Sequence, residues 1–127
     1  MVSKLGEISQ SLRVNGVRVN ALYDSGATGN YLSSRLAKRV RLYLEKNYSF
    51  EGIDGIKHTG RIAHISVDIM GREGSTRVVV TDILPNDGFD VILGQPFLQD
   101  NEVVLDYKKD KMRFTSHQPK LRRIGRI

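Results

Sequence analysis

The sequence contains no cysteine, which excludes disulfide bonds and thiolate metal sites. It also lacks any apolar run near the length of a membrane-spanning helix, so we expect no membrane partner. The first four residues do not open a signal peptide, and this predicts a soluble, cytoplasmic chain. No internal repeat or low-complexity segment is present, and 127 residues fit a single domain.

The charge is basic, with a formal net charge of +6, and it collects at residues 35–41 and 120–126. A single-stranded nucleic-acid site would place aromatic residues among the basic ones for base stacking, and neither cluster contains any. We therefore interpret both clusters as solvated surface; nucleic-acid binding through the C-terminal cluster stays an alternative, marked by steep salt dependence. His58, His64 and His117 lie too far apart for ligand spacing, so we expect no metal and no other cofactor.

Short runs of Val, Ile and Leu between Gly, Asn and Asp indicate β structure. The clearest signal is Asn15-Gly16 between two alternating segments, because both positions of a type I′ turn need positive φ. The second strand of this hairpin continues through residues 21–23 directly into Asp24. Further along we predict a short helix that is capped by Ser33 or Ser34 and followed by extended chain. Two strands, over 62–69 and 76–84, are joined by a turn at 71–74. The chain then forms a strand over 89–93, a one-turn helix opened by Pro96, and a last hairpin of 103–107 against 112–114.

The stretch Asp24-Ser25-Gly26-Ala27-Thr28 delivers one carboxylate into a turn made of small residues. Gly26 permits a close backbone approach, and the hydroxyls of Ser25 and Thr28 are donors for a carboxylate or a neighbouring backbone group. These residue types predict a carboxylate that is rigidly held.

This stretch, followed by Tyr31-Leu32 and Ser33, resembles the active-site loop of the retropepsin-like aspartic proteases. Residues 91–98, Val-Ile-Leu-Gly-Gln-Pro-Phe-Leu, are similar to the second signature of that family, and residues 105–107 with Phe114 to the closing strands of gypsy-type retrotransposon proteases. The resemblance covers roughly residues 8–115. It implies an all-β, retropepsin-like acid protease fold, a closed barrel-like single lobe with one short helix. We assign the protease domain to residues 1–117 and, from their charge, residues 118–127 to a basic C-terminal tail. The resemblance also places the flap, the hairpin that closes over substrate, at residues 48–61.

Peptide hydrolysis by carboxylates needs two of them sharing one proton, one as general base and the other as acid. The chain has a single Asp-Ser/Thr-Gly, because Asp54-Gly55 and Asp87-Gly88 lack the small hydroxyl residue. An enzyme must therefore take its second Asp24 from a second copy, which predicts a C₂ homodimer with the site on the symmetry axis.

The resemblance assigns roles to residues of both signatures and of the flap. Ser25 would brace the partner's loop, Gly26 would let the two loops approach, and Asp54 is alternatively an ordinary turn residue. We predict as catalytic Asp24, Ser25 and Gly26; as substrate-binding Ala27, Ile53, Asp54, Gly55 and Ile56; and as support of the site Thr28, Ile92, Leu93 and Gly94.

The predicted function is that of an aspartic endopeptidase, active as a homodimer on extended polypeptide substrates, with retrotransposon polyprotein processing as its biology. The first alternative is a non-catalytic retropepsin-like module that binds a peptide or dimerises a larger protein. The Asp24→Asn substitution separates the two, since only an enzyme would lose peptide cleavage.

Overall fold

The computed structural model describes residues 7–51, 55–84, 88–115 and 120–121. Within these ranges the regular secondary structure is almost entirely β-strand, with two short helices. The strands are β1 (Ile8–Val14), β2 (Val17–Tyr23), β3 (Tyr31–Ser33), β4 (Tyr43–Glu51), β5 (Lys57–Ile69), β6 (Arg72–Thr81), β7 (Val91–Leu93), β8 (Val103–Asp106) and β9 (Lys111–Phe114), and the helices are α1 (Ser34–Ala37) and α2 (Gln95–Asp100).

Six of these strands close into a barrel in the order β1-β2-β7-β3-β6-β5. Closure comes from the pairing of β1 with β5, in which Val14 lies opposite Val67. Strand β4 extends the sheet outside the barrel on β5, and β8 and β9 form a separate two-stranded sheet. The predicted all-β, closed barrel-like architecture is confirmed. The resemblance implied one short helix, whereas the structure has the two that the residue pattern predicts.

The barrel closes around side chains that alternate in burial along its longer strands, whereas the short strand β7 is buried throughout. In β5, for example, Ile65, Val67 and Ile69 are buried while Ser66 between them is exposed. This period of two is the pattern of a strand with one face on the core and the other in solvent. The largest fully buried side chains include Tyr23, Phe97, Leu32, Leu36, Ile62 and Ile92.

Two tight turns show how far local sequence determines the hairpins. Asn15 and Gly16 have φ of 49° and 82°, which confirms the predicted two-residue turn between β1 and β2. The turn predicted at residues 71–74 is wrong, because Met70 and Gly71 make it, with φ of 51° and 84°. The β5–β6 ladder then begins at once with Ile69 opposite Arg72.

The predicted end of the following strand at residue 84 is also wrong. Strand β6 ends at Thr81, the last residue that pairs with β3. Beyond it, the Thr81 hydroxyl accepts a hydrogen bond from the backbone N–H of Ile83 (3.1 Å). A side chain that bonds its own backbone two residues on turns the chain and ends the ladder.

Both predicted helices are present and short. The Ser33 hydroxyl caps α1 by accepting the N–H of Leu36 (3.0 Å), and the chain then becomes extended in β4, as predicted. Helix α2 begins at Gln95, with Gly94 at its N-cap and Pro96 in its first turn.

The end of the described chain contacts the barrel. Leu121 donates its backbone N–H to the Glu73 carbonyl (3.1 Å) and buries its side chain against Gly74. The domain boundary between residues 117 and 118 stays a prediction. None of the helices within the described ranges is long and apolar enough to cross a membrane.

Candidate active site

The barrel topology brings the Asp24 loop to the end of one strand. Strand β7 lies between β2 and β3, parallel to β2, with Tyr23 opposite Leu93, and antiparallel to β3, with Tyr31 opposite Ile92. Residues 24–30 therefore connect two strands that flank the same neighbour. The loop crosses the C-terminal end of β7, directly beside the second signature.

Asp24 is fixed by hydrogen bonds on both its backbone and its side chain. Its N–H donates to the Leu93 carbonyl (3.0 Å), and its carbonyl accepts the N–H of Ala27 (3.1 Å). Its carboxylate oxygen Oδ1 accepts the N–H of Gly26 (2.9 Å). Asp24 is partly buried, whereas Ser25 and Gly26 are exposed, so the loop presents an oriented carboxylate at the protein surface.

The loop and the start of α2 are in direct backbone contact. A Cβ on Gly94 would lie 2.1 Å from the Gly29 carbonyl oxygen and 2.6 Å from that of Ala27. The Gln95 N–H donates to the same Ala27 carbonyl (2.9 Å). Gly94 is thus required by close approach, and it lets the second signature support the first.

A small apolar cluster lies under the loop and contains Ala27 and Ile92, together with Leu22, Tyr31 and Val79. Burial raises the pKa of Tyr31; a hydrogen bond from Thr28 lowers it in part, and the nearby Tyr48 raises it further. The net effect is a raised pKa. Thr28, predicted as support of the site, thus interacts with a side chain just beyond the loop.

Ser25 faces away from this cluster, toward the β8–β9 sheet. Its hydroxyl lies 3.3 Å from the phenol oxygen of Tyr107, and its carbonyl accepts a hydrogen bond from Gln95 Nε2 (2.9 Å). These residues border an open groove of about 520 Å³, which α2 and β8 complete with Leu98 and Leu105. The exposed side of the loop is accessible to another molecule there.

The predicted flap region is a hairpin that extends beyond the barrel. Residues 57–60 of β5 pair with β4, and pairing of β5 with β6 begins only at Arg61. The hairpin is a two-stranded ribbon over this part. Gly55 (φ 75°) and the 59% exposed Ile56 lie at its far end, while the predicted substrate-binding residues Ile53 and Asp54 lie outside the described residues.

Glu45 fixes the base of this ribbon to the barrel. One carboxylate oxygen contacts His64 Nε2 on β5, and the other accepts a hydrogen bond from Arg77 on β6 (2.8 Å). The Arg77 hydrogen bond is the main cause that lowers the pKa of Glu45. Across the described ranges, no three His, Asp or Glu side chains are grouped to hold a metal ion.

Three residues at the site escaped the sequence-based prediction: Asn30, Gln95 and Tyr107. Asn30 is fully buried; its Oδ1 accepts the Gly94 N–H (3.0 Å) and its Nδ2 donates to the Arg77 carbonyl (3.3 Å). The sequence signal that could have identified Asn30 is its position as a lone polar residue between the small-residue turn and the apolar pair Tyr31-Leu32. Gln95 lies within the second signature, and Tyr107 directly follows β8.

Comparisons with known proteins agree with this geometry. Residues 11–100 match a family model described as "gag-polyprotein putative aspartyl protease". The EIAV protease, solved in complex with the inhibitor HBY-793, is 26% identical; the match covers 79% of this chain and 93% of that one, with a TM-score of 0.58. The retroviral protease-like domain of Ddi1 from Leishmania major is 19% identical, with coverages of 86% and 87% and a TM-score of 0.60, a likeness of fold alone.

Proposed function

Because the chain belongs to the retropepsin-like family of gag-polyprotein aspartyl proteases, we propose that it is an aspartic endopeptidase that is active as a homodimer. One observation carries the proposal: the Gly26 N–H orients the partly buried Asp24 carboxylate in a loop that crosses the C-terminal end of β7, inside the stretch that resembles the family's active-site loop. This geometry fits a carboxylate whose task is chemical, because a partly exposed, pre-oriented acid can reach a substrate.

The need for a second copy of the chain follows from the number of active-site carboxylates that one chain supplies. The sequence contains one Asp-Ser/Thr-Gly, and two carboxyl groups are needed to act as base and acid. A C₂ dimer brings two Asp24 side chains to its axis, where close like charges cannot both ionise, so that the pair shares one proton. The exposure of Ser25 and Gly26 supports this arrangement, since the loop is accessible for contact with its twin.

Hydrolysis then uses the two carboxyls in turn. The ionised Asp24 takes a proton from water while the water oxygen attacks the scissile carbonyl carbon, and the protonated Asp24 of the second copy gives its proton to the carbonyl oxygen. In the resulting tetrahedral diol, the C–N bond breaks as the first Asp24 returns its proton to the amine nitrogen. The second Asp24 regains a proton from one hydroxyl of the diol, whose oxygen stays on the carbon as the carbonyl oxygen of the product carboxylic acid. The amine is the leaving group, and both carboxyls return to their starting protonation states.

The substrate is an extended polypeptide that lies between the Asp24 loop and the β4–β5 ribbon. Ala27 would border its backbone from below, and residues 53–56 would cover it from above. A strand held in this way gains main-chain hydrogen bonds and alternating side-chain pockets. Polyprotein processing is the role that the family description supports.

Cleavage of a mixed peptide library between about pH 4 and 7, where a coupled carboxylate pair can share a proton, tests the proposal. The expected result is cleavage by the wild type, loss of it in Asp24→Asn, and retention of it in Asp82→Asn, which removes another exposed carboxylate. Sedimentation checks that each protein is dimeric. A dimeric wild type without cleavage would refute the enzyme and favour the peptide-binding module.

A further inference from the structure

The peptide group between Ser25 and Gly26 is hydrogen-bonded at both ends. Its N–H donates to Asp24 Oδ1 (2.9 Å), and its carbonyl accepts from Gln95 Nε2 (2.9 Å). A peptide group is planar, so fixing its carbonyl also fixes the direction of its N–H. The bond that Gln95 makes therefore determines whether the N–H points at the carboxylate.

Gln95 is well placed to impose that orientation, because its own backbone is held. Its N–H donates to the Ala27 carbonyl (2.9 Å), and α2 buries Phe97 and Leu98 in the barrel. The Gln95 side chain extends from this fixed backbone to the Ser25 carbonyl. Since that acceptor is a carbonyl oxygen, the amide of Gln95 must present its NH₂ group there.

We propose that Gln95 is a positioning residue for Asp24, acting through the Ser25–Gly26 peptide. A donor on the carbonyl also polarises the same peptide and strengthens the bond from its N–H. Without Gln95 the peptide keeps only the bond from its N–H to Asp24, so its orientation is less firmly fixed and the carboxylate loses part of its stabilisation. The effect on catalysis rests on the proposed function, whereas the effect on the Asp24 carboxylate does not.

Four variants separate the hydrogen bond from the bulk of the side chain. Gln95→Met keeps the length and removes the donor, and Gln95→Glu keeps the shape but places an acceptor against the Ser25 carbonyl. Gln95→Lys restores a donor and is the rescue variant. Gln99→Met is the matched control, because it makes the same change one turn later on α2 in a residue that borders the same groove.

The first readout needs no enzyme activity. The dipeptide Ser-Gly occurs once in the sequence, at Ser25-Gly26. Carbonyl-¹³C serine combined with ¹⁵N glycine therefore gives one HNCO signal, which reports the Ser25 carbonyl and the Gly26 N–H together. In the wild type, and in Gln99→Met, the Gly26 amide proton should shift as pH is lowered and the Asp24 carboxylate takes up a proton.

In Gln95→Met and Gln95→Glu we expect a changed Ser25 carbonyl shift and a smaller pH response of the Gly26 proton, with Gln95→Lys restoring both. A signal in Gln95→Met that matches the Gln99→Met control in position and pH response would overturn the inference. This result is independent of whether the wild type cleaves peptides.

The second readout is kinetic. Loss of one neutral hydrogen bond predicts a fall in kcat of about 3- to 10-fold in Gln95→Met, with KM unchanged and the acid limb of the pH profile moved to higher pH. A cleaving wild type whose kcat and pH profile are unaffected by Gln95→Met would contradict the positioning role. An inactive wild type would refute the proposed function instead, and the NMR signal would still decide the role of Gln95.

Discussion

Gly94→Ala should destabilise the protein through a single steric conflict, and the structure allows its size to be worked out. The φ of Gly94 is −97°, which any residue adopts, so backbone strain is not the reason for glycine here. The reason is the Gly29 carbonyl oxygen, which a new Cβ would approach to 2.1 Å when real Cβ contacts stay beyond 3.0 Å. To avoid this steric conflict, the backbone segments at Gly94 and Gly29 must move apart by about 0.9 Å.

That movement would also stretch the hydrogen bonds that join these segments, from the Gly94 N–H to Asn30 Oδ1 and from the Gln95 N–H to the Ala27 carbonyl. Overpacking of side chains costs about 1–3 kcal/mol, and a backbone conflict lies at or above the top of this range. We expect a loss of about 3 kcal/mol in the free energy of unfolding. The melting temperature should fall on the order of 10 °C for a chain of this size.

Gly71→Ala is the matched control. Gly71 has a φ of +84°, but a Cβ added there would meet no atom within 4 Å, so the substitution carries only the conformational cost of about 1–2 kcal/mol. Urea unfolding followed by far-UV circular dichroism measures both variants. If Gly94→Ala costs no more than Gly71→Ala, the close approach between the loop and α2 is not what requires glycine.

Three further predictions concern stability. Tyr23→Phe should be neutral or stabilising by about 1 kcal/mol in a thermal melt, because the hydroxyl is buried without a partner among the described residues; a clear loss of stability would contradict this. Burial raises the pKa of Asp90, but hydrogen bonds from Ser33 and Arg35 outweigh it and hold the pKa below its ordinary value. The folded protein therefore binds fewer protons than the unfolded chain in acid, and the stability that Asp90 contributes is present above its unfolded pKa of about 4 and is lost below it. The difference in unfolding free energy between wild type and Asp90→Asn should shrink from about pH 6 to pH 3, and a constant difference would refute this linkage. Leu121→Ala should cost about 2 kcal/mol in urea unfolding through lost packing on β6, and an unchanged midpoint would show that this contact is not stabilising.

Much of the fold is predictable because its signals are local. Asn15-Gly16 specifies its own turn through the φ values that these residues tolerate, and Ser33 specifies the start of α1 through a bond to a residue three positions on. Met70 shows the limit of this reasoning. Nothing in its chemistry favours a positive φ, and the ladder between β5 and β6 imposes one.

The candidate site was predictable as a motif, whereas its supporting contacts were not. Asp24, Gly26 and Ala27 are neighbours in sequence, and their mutual hydrogen bonds follow from the turn. The bonds of Asn30 to Gly94 and of Gln95 to Ser25 join residues 64 and 70 positions apart. Their existence depends on the insertion of β7 between β2 and β3, a pairing that no local pattern in the sequence encodes.

The most direct test of the central claim, that one site takes one Asp24 from each of two chains, is a mixing experiment. Wild type and Asp24→Asn are unfolded together, refolded at fixed total concentration in varying proportions, and assayed for peptide cleavage. Random pairing predicts activity proportional to the square of the wild-type fraction, so that an equal mixture keeps about one quarter of the wild-type rate. Activity that falls in direct proportion, to about one half, would mean that each chain acts by itself and would contradict the account.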